Sequence, residues 1–596
     1  MSQDTDVRAA DPVLGRLAEA ILIPPFPGLS APRWMLDALG RGLAGVTLFG
    51  QNISAPDQVS ALTAMLRSAA PGDDPVIAID EEGGDVTRVA YADGSPYPGN
   101  AALGAVDDVA LTQAVYRAIG ADLAALGINF DLAPCADVLG TADSPAVGTR
   151  SFGADTGLVS RHTAAAVAGL QGACVAACTK HFPGHGRTGT DSHEAIATIE
   201  GGLADLRLVD LPPFEAAIRA GTLAIMPSHL RVPELTGDLP ATVSAAAITG
   251  LLRGELGFTG VIVSDALEMR ATRDTFGIPG AAVLAVAAGT DLLCLGRDGS
   301  EADYLAVRDA LVAAVRDGAL DGERLEEAAD RVARMRGGLA RTRSAAPAGD
   351  SAGPGAGLGI GPAVSPMAGP AAGPAVGPAV SPMVGPAVGL VAARRAVRVS
   401  GPHRTLSHPV IIEVEPRENI AAGRFGWGLA PWAPAGSVHR VSASGRLLNG
   451  AGRGLADPAR SGPADRGPAD EGPADGGPAD GGSADGGSAG GIRADGGRTD
   501  GDRADSGAAD GGRVDAAAIL AAAAGRSLVA VVRDAHRDEQ TQSLVSALLA
   551  ARPDLILVEM GLPFWRPPEG TSYLATYGAS RASAHAAAEL LGLTPA

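Results

Sequence analysis

Between residues 1 and 343, short apolar runs alternate with longer stretches in which apolar positions recur every three or four residues. The short runs are Ala20–Pro24, Gly45–Gly50, Val76–Asp80, Ile128–Ala133, Val175–His181, Thr222–Ser228, Gly260–Asp265 and Thr290–Leu295. Each is of strand length and apolar at successive positions, the signature of a strand buried on both faces. Between them, Ala55–Ala69, Val109–Leu126, Gly157–Leu170, Ala204–Ala220, Ala245–Glu255 and Tyr304–Arg316 carry the helical period. Strand–helix alternation repeated eight times predicts an α/β fold, a (β/α)8 TIM-type barrel over residues 1–343. An open doubly wound sheet is the competing arrangement. No Gly-x-Gly-x-x-Gly follows the first strand to support a dinucleotide-binding version of it.

Beyond the barrel the pattern breaks twice. Residues 344–390 are Pro-Ala-Val-Gly-Pro and Ser-Pro-Met repeats, without the period a core needs, and read as a disordered linker. Residues 391–449 regain apolar runs, with Pro409–Glu415 as a strand. Residues 450–513 are a Gly-Pro-Ala-Asp repeat and read as a disordered insertion. From 514 to 596 the order helix, strand, helix, strand, helix returns, with strands at Ser527–Arg533 and Asp554–Met560. We therefore expect 391–449 and 514–596 to form one smaller, sandwich-like α/β domain. Its strand ends, Arg533-Asp-Ala-His536-Arg537 and Glu559-Met-Gly-Leu-Pro563, read as caps or domain-interface residues.

The polar residues that close the barrel strands define the candidate chemistry. Strand three runs into Asp80-Glu-Glu-Gly-Gly84-Asp85 with Arg88, strand five into Lys180-His181, strand six into Ser228-His229, and strand seven into Ser264-Asp265. C-terminal strand ends carry the active site of a barrel. Lys180 is the only lysine in the chain, among 47 Lys+Arg residues. A lone ammonium in a chain that otherwise uses guanidinium points to a position that needs a compact donor. After it comes Phe182-Pro-Gly-His-Gly186, which cannot be helix, then Asp191-Ser-His193 on the same loop.

Composition narrows the field. The net charge is -20, which argues against nucleic acid or an anionic membrane surface as a partner. No apolar run reaches membrane-spanning length, and the N-terminus lacks a signal-peptide pattern, so a cytoplasmic protein is expected. Cys135, Cys174, Cys178 and Cys294 lie in apolar surroundings and read as reduced core residues.

A sugar acetal needs one group to trap an oxocarbenium-like centre and another to protonate the leaving oxygen. Asp265 suits the first role. His193, oriented by Asp191, suits the second, because imidazole titrates near neutrality. Asp80, Arg88, Lys180 and His181 are hydrogen-bonding types suited to sugar hydroxyls, and His229 joins them as a strand-end candidate.

At these residues the chain resembles the family-3 glycoside hydrolases, in their β-N-acetylglucosaminidase (β-hexosaminidase) branch. The resemblance spans the barrel. It rests on Gly45-Val-Thr-Leu-Phe49, Asp80-Glu-Glu-Gly-Gly84 with Arg88, Asn129-Phe-Asp-Leu-Ala-Pro134 with Asp137-Val138, Arg150-Ser-Phe152, Lys180-His-Phe-Pro-Gly-His-Gly186, Asp191-Ser-His193 and Ser264-Asp265, in the family's order. It implies a retaining, exo-acting enzyme with Asp265 as nucleophile, His193 as acid/base and Asp191 as its partner. Asp80, Arg88, Arg150, Lys180 and His181 would bind the terminal N-acetylglucosamine of a small cell-wall-derived or chitin-derived oligosaccharide. The second α/β domain is similar to the C-terminal domain of longer members. Departures are Arg187, Ala197 and Ala266, where the family commonly has Asp or a small residue, Pro, and Asp; none removes a named catalytic group.

The acceptor is water or, in the alternative reading, phosphate, since a histidine acid/base repels an anion less than a glutamate does. More distant alternatives are a metal-dependent hydrolase using His181, His185, Asp191 and His193, and a non-catalytic sugar-binding protein. Neither a cofactor nor a metal is expected.

Overall fold

The computed structural model describes residues 12–72, 74–140, 144–189, 196–199, 201–345, 385–402, 406–416, 423, 428–443, 448, 519–521 and 523–593. Among the described residues of the first half, eight parallel strands build a barrel: β1 (Leu22–Ile23), β2 (Gly45–Leu48), β3 (Val76–Ile79), β4 (Phe130–Asp131), β5 (Ala176–Phe182), β6 (Ala224–Pro227), β7 (Val261–Ile262) and β8 (Leu293–Cys294). β2 to β7 form one continuous sheet, and β1 pairs with β8. The ring closes through a bridge between Val263 and Leu292 and through the Thr47 amide, which donates to the Pro24 carbonyl at 3.3 Å. The expected (β/α)8 barrel is present, with all eight strands where the apolar runs lie.

Each barrel strand is short and buried. Their inward side chains, among them Val76, Ala78, Phe130, Cys178, Ala224, Met226, Val261 and Cys294, form one apolar cluster. Val332, Met335 and Leu339 of the helix Gly322–Ala345 pack against it. Outside the strands, a larger cluster fills the space under the helices. A barrel interior filled in this way is a packed core, which confines chemistry to the loops at its mouth.

The second half holds a six-stranded sheet: β9 (Arg398–Ser400), β10 (Val410–Val414), β11 (Val438–Val441), β12 (Leu528–Val532), β13 (Ile556–Glu559) and β14 (Ser572–Ala575). The order is β9-β14-β13-β12-β10-β11, parallel except for β9. Apolar clusters cover both faces, as a parallel sheet requires. A helix, Pro386–Ala396, precedes this sheet. It starts inside the span expected to be linker, because Pro386 opens a helix well and Val388, Leu390, Ala392 and Ala393 supply an apolar stripe. Residues 451–513 lie outside the described residues.

Cys135, Cys178 and Cys294 are buried free thiols as expected, whereas Cys174 is partly exposed. It stands just after the helix Thr156–Gly172, at the turn into β5.

Candidate active site

Asp80 follows β3, and Lys180 lies in β5, two strands away around the barrel. Lys180 Nζ donates to Asp80 Oδ1 at 2.7 Å and stands 2.8 Å from Glu82 Oε1. Glu82 also takes a two-pronged bond from Arg150, from Nε to Oε2 at 2.9 Å and from Nη2 to Oε1 at 2.7 Å. Arg88 Nη2 lies 3.6 Å from Asp80 Oδ2. Side-chain exposure divides the five: Lys180 and Glu82 are 3% exposed, Arg150 8%, but Asp80 and Arg88 are 18% and 15%. Asp80 and Arg88 therefore reach the mouth, backed by the other three.

The local sequence explains this geometry. Side chains two apart share a face of an extended chain, so Asp80 and Glu82 meet the same ammonium. Glu81 turns the other way, and its Oε2 accepts the Arg88 and Val89 amides at 2.8 and 3.0 Å. These bonds fold the segment back and bring Arg88 over Asp80. Gly84, at φ 60°, lies so close to Gly99 that an added Cβ would sit 2.5 Å from its Cα. No other residue fits this turn.

Charge sets the protonation states. Burial works against the carboxylates of Asp80 and Glu82. For Asp80, Lys180 and Arg88 overcome it; for Glu82, Arg150 and Lys180 do. Both are held below the usual carboxylate range. Burial likewise opposes the Lys180 ammonium, yet Asp80 and Glu82 hold it charged well above its ordinary value. Burial pushes the Cys178 thiol up. Asp265 follows β7 as Asp80 follows β3, so the parallel ring delivers both to the same end of the barrel.

His181 is fixed from both sides. Its Nδ1–H donates to Asp137 Oδ2 at 2.7 Å, while Arg150 Nη2 lies 3.3 Å from Nε2. A guanidinium only donates, so Nε2 faces it as the acceptor. Asp137 Oδ1 also takes the His181 and His185 amides at 3.2 and 2.7 Å. His181 thus holds Arg150 and is 9% exposed. Cys135, Asp137 and His181 offer three metal-ligand types within 4.8 Å of one another. Their closeness has a simpler cause: Cys135 Sγ donates to Asp137 Oδ2 at 3.1 Å, and burial keeps that thiol protonated.

At the end of β7, Asp265 Oδ1 accepts the Ala266 amide at 2.8 Å. Ser264 Oγ accepts the Cys294 amide at 3.0 Å, tying this segment to β8. His229, the strand-end candidate after β6, is held between two neighbouring segments. It is fully buried, with Nδ1 2.9 Å from Thr242 Oγ1 and Nε2 3.0 Å from the Ala266 carbonyl. Through the Ala266 carbonyl the ring props the segment that carries Asp265. Glu268, overlooked by the sequence reading, accepts the Gly296 amide at 2.8 Å, and burial, with the Asp265 charge adding to it, pushes its carboxyl above the usual range. Glu82 and Asp137 were also overlooked as site residues. The alternation Asp80-x-Glu82 signals the first; the bridge between Cys135 and Lys180 brings Asp137 to His181. Asp191 and His193 lie outside the described residues.

Two predictions arise here. Lys180→Met leaves Asp80 and Glu82 close together without the cation between them. Removing one member of a buried pair costs about 3 kcal/mol. We expect a lower Tm and a loss of kcat/KM of at least about a hundredfold. An unchanged Tm with near-normal kinetics would remove Lys180 from the site. The second concerns acid. Asp80, Glu82 and Asp137 have folded-state values lowered from 3.8, 4.5 and 3.8. Lowered values contribute stability above those ordinary values that is lost as pH falls through the folded ones. Thermal unfolding scans should show the wild type losing stability steeply below about pH 4, and Glu82→Gln less steeply. Equal slopes for the two would contradict it.

Residues 36–335, half of the chain, match the glycosyl hydrolase family 3 N terminal domain, and the protein belongs to the family 3 glycoside hydrolases. A beta-hexosaminidase of Stenotrophomonas maltophilia (strain K279a) is 38% identical over 256 residues, covering 42% of this chain and 75% of that protein. The beta-hexosaminidase LpqI of Mycobacterium tuberculosis is 36% identical over 266 residues, 44% of this chain and 68% of its own. Among solved structures, a glycoside hydrolase family 3 beta-N-acetylglucosaminidase from Paenibacillus sp. str. FPU-7 superposes with a TM-score of 0.71 at 27% identity, over 98% of this chain and 97% of that one.

Proposed function

We propose that this glycoside hydrolase is a retaining, exo-acting β-N-acetylglucosaminidase that removes terminal N-acetylglucosamine from cell-wall-derived or chitin-derived oligosaccharides. The observation that carries the reading is the charge array of Asp80, Lys180, Glu82, Arg150 and Arg88 at the end of the barrel where Asp265 follows β7. Such an array offers charged donors and acceptors to the hydroxyls of one terminal sugar, and charge-assisted bonds are the strong ones. The names of the relatives support hexosaminide as the sugar.

In this reading Asp265 attacks the anomeric carbon while His193 protonates the departing oxygen, leaving a glycosyl–Asp265 ester. His193, now neutral, takes a proton from water, which displaces Asp265 with a second inversion and net retention. Asp191 orients the imidazole.

The test is product analysis on a nitrophenyl N-acetyl-β-glucosaminide, followed by NMR from the first seconds, with and without phosphate. Retention predicts β-N-acetylglucosamine as the first product. An α-anomer formed first, or no turnover of this sugar while another glycoside is cleaved, would overturn the reading. A sugar phosphate formed in place of free sugar would make phosphate the acceptor.

A further inference from the structure

Asp85 stands just beyond the Glu82-Gly83-Gly84 turn and is buried in a contact between the barrel and the second domain. Its Oδ1 accepts the Ala579 amide at 2.7 Å. Its Oδ2 receives two donors, Arg533 Nη2 at the end of β12, at 2.5 Å, and Thr149 Oγ1. The Asp85 and Arg533 side chains are 2% and 7% exposed. Thr149 immediately precedes Arg150. One carboxylate therefore ties together the segment of Glu82, the segment of Arg150 and two points of the second domain. A neighbouring bond has the same sense: Arg537 Nη2 donates to the Ser144 carbonyl, upstream in the Arg150 segment. Leu562 and Tyr577 of the second domain pack beside these polar bonds on Ala101, Cys135, Leu139 and Val147.

The two tied segments are those whose spacing decides where Lys180 and Arg150 point. Glu82 is bonded to both cations, and a shift of the turn by one ångström would move both. We infer that Arg533 is a positioning residue: through Asp85 it sets the distance between the Glu82 turn and the Arg150 segment, and with it the geometry of the sugar-binding charges. The inference rests on the sugar-binding role proposed above for those charges. Its alternative is a plain bolt between domains, which would affect stability alone.

The experiment uses the full chain and compares Arg533→Ala, Arg533→Lys and a control, Arg395→Ala. Arg395 also joins the two halves, 2.7 Å from Asp108, but both side chains are partly exposed and neither touches the Glu82 or Arg150 segments. Four quantities are measured: kcat, KM, the inhibition constant of the free sugar, and Tm. The charges contact parts of the sugar that do not react, so ground-state and transition-state binding should weaken together. For Arg533→Ala we expect KM and the inhibition constant to rise together by about tenfold or more, with kcat changed less than about threefold. Arg533→Lys should recover part of the loss, and Arg395→Ala should leave KM alone. Adding Asp85→Asn to Arg533→Ala should cost little more, because both cut the same tie. An unchanged KM with a lower Tm, or an equal KM rise in Arg395→Ala, overturns the inference. Should Arg533→Ala not fold, Arg533→Lys and Arg533→Gln provide the same comparison. A wild type silent on N-acetylglucosaminide but active on another glycoside would refute the sugar assignment alone; the variants are then tested on that glycoside and its free sugar.

Discussion

Asp265→Ala should lose turnover by about four orders of magnitude or more while keeping its fold, because the substitution removes the atom that forms the covalent bond. The segment should survive the change. Asp265 contributes a bond to the Ala266 amide, but the Ala266 carbonyl stays on His229, and Ser264 stays on the Cys294 amide. Tm should fall by no more than a few degrees, the usual consequence of altering one partly buried side chain whose neighbours keep their bonds. The informative companion is Glu268, the other carboxyl on this segment. Burial, with the Asp265 charge adding to it, raises its carboxyl above the usual range and so disfavours the charged, nucleophilic form. Activity of Asp265→Ala above about a tenth of wild type would require another nucleophile, and Glu268→Ala would then be the variant that loses turnover.

His193→Ala should harm substrates unequally. A nitrophenolate departs with little protonation, so its first step should survive and the glycosyl–Asp265 ester should accumulate as a burst followed by a slow phase. A natural disaccharide has a poor leaving group, and its kcat/KM should fall by about three orders of magnitude. Azide needs no deprotonation, so it should restore the second step and yield a β-glycosyl azide. Asp191→Ala should repeat the pattern more mildly, since the imidazole remains without its orienting partner. Equal losses on both substrates with no effect of azide would make His193 a loop-shaping residue. His536, near the barrel mouth loops through its neighbour Arg537, would then become an acid/base candidate.

The barrel was legible because its strands are buried on both faces and read as continuous apolar runs, from Val76-Ile-Ala-Ile79 to Leu292-Leu-Cys-Leu295. The meeting of Asp80, Lys180 and Arg88 follows from the same reading, since parallel strands in a closed ring all end at one rim. Side chains acting behind that rim were not legible. Asp137 stands in a family motif, but nothing in sequence gives its partner; the bridge of Cys135 to Lys180 sets it against His181. His229 looks identical on paper to His181, yet one ring is bonded to a neighbouring loop carbonyl and the other to a barrel carboxylate. The second sheet was harder still. β14, Ser572-Tyr-Leu-Ala575, has no apolar run to mark it, and β9, Arg398-Val-Ser400, is an exposed edge that takes its conformation from its partner.

The helix Pro386–Ala396 has one more implication, for how the chain comes apart. Val388 and Ala392 belong to the apolar cluster that runs beneath the barrel helices, while Ala393 sits with Ala582 and Ala586 of the second domain. Gly389 lies against the Pro96 carbonyl so closely that any side chain would collide with it. The two halves thus share a piece of interior through this helix. A cut after residue 345 would strip a stave from the barrel's own core and would not release an intact catalytic half. The boundary that the repeats draw along the sequence is therefore not a boundary of cooperativity, and heat should melt both halves as one.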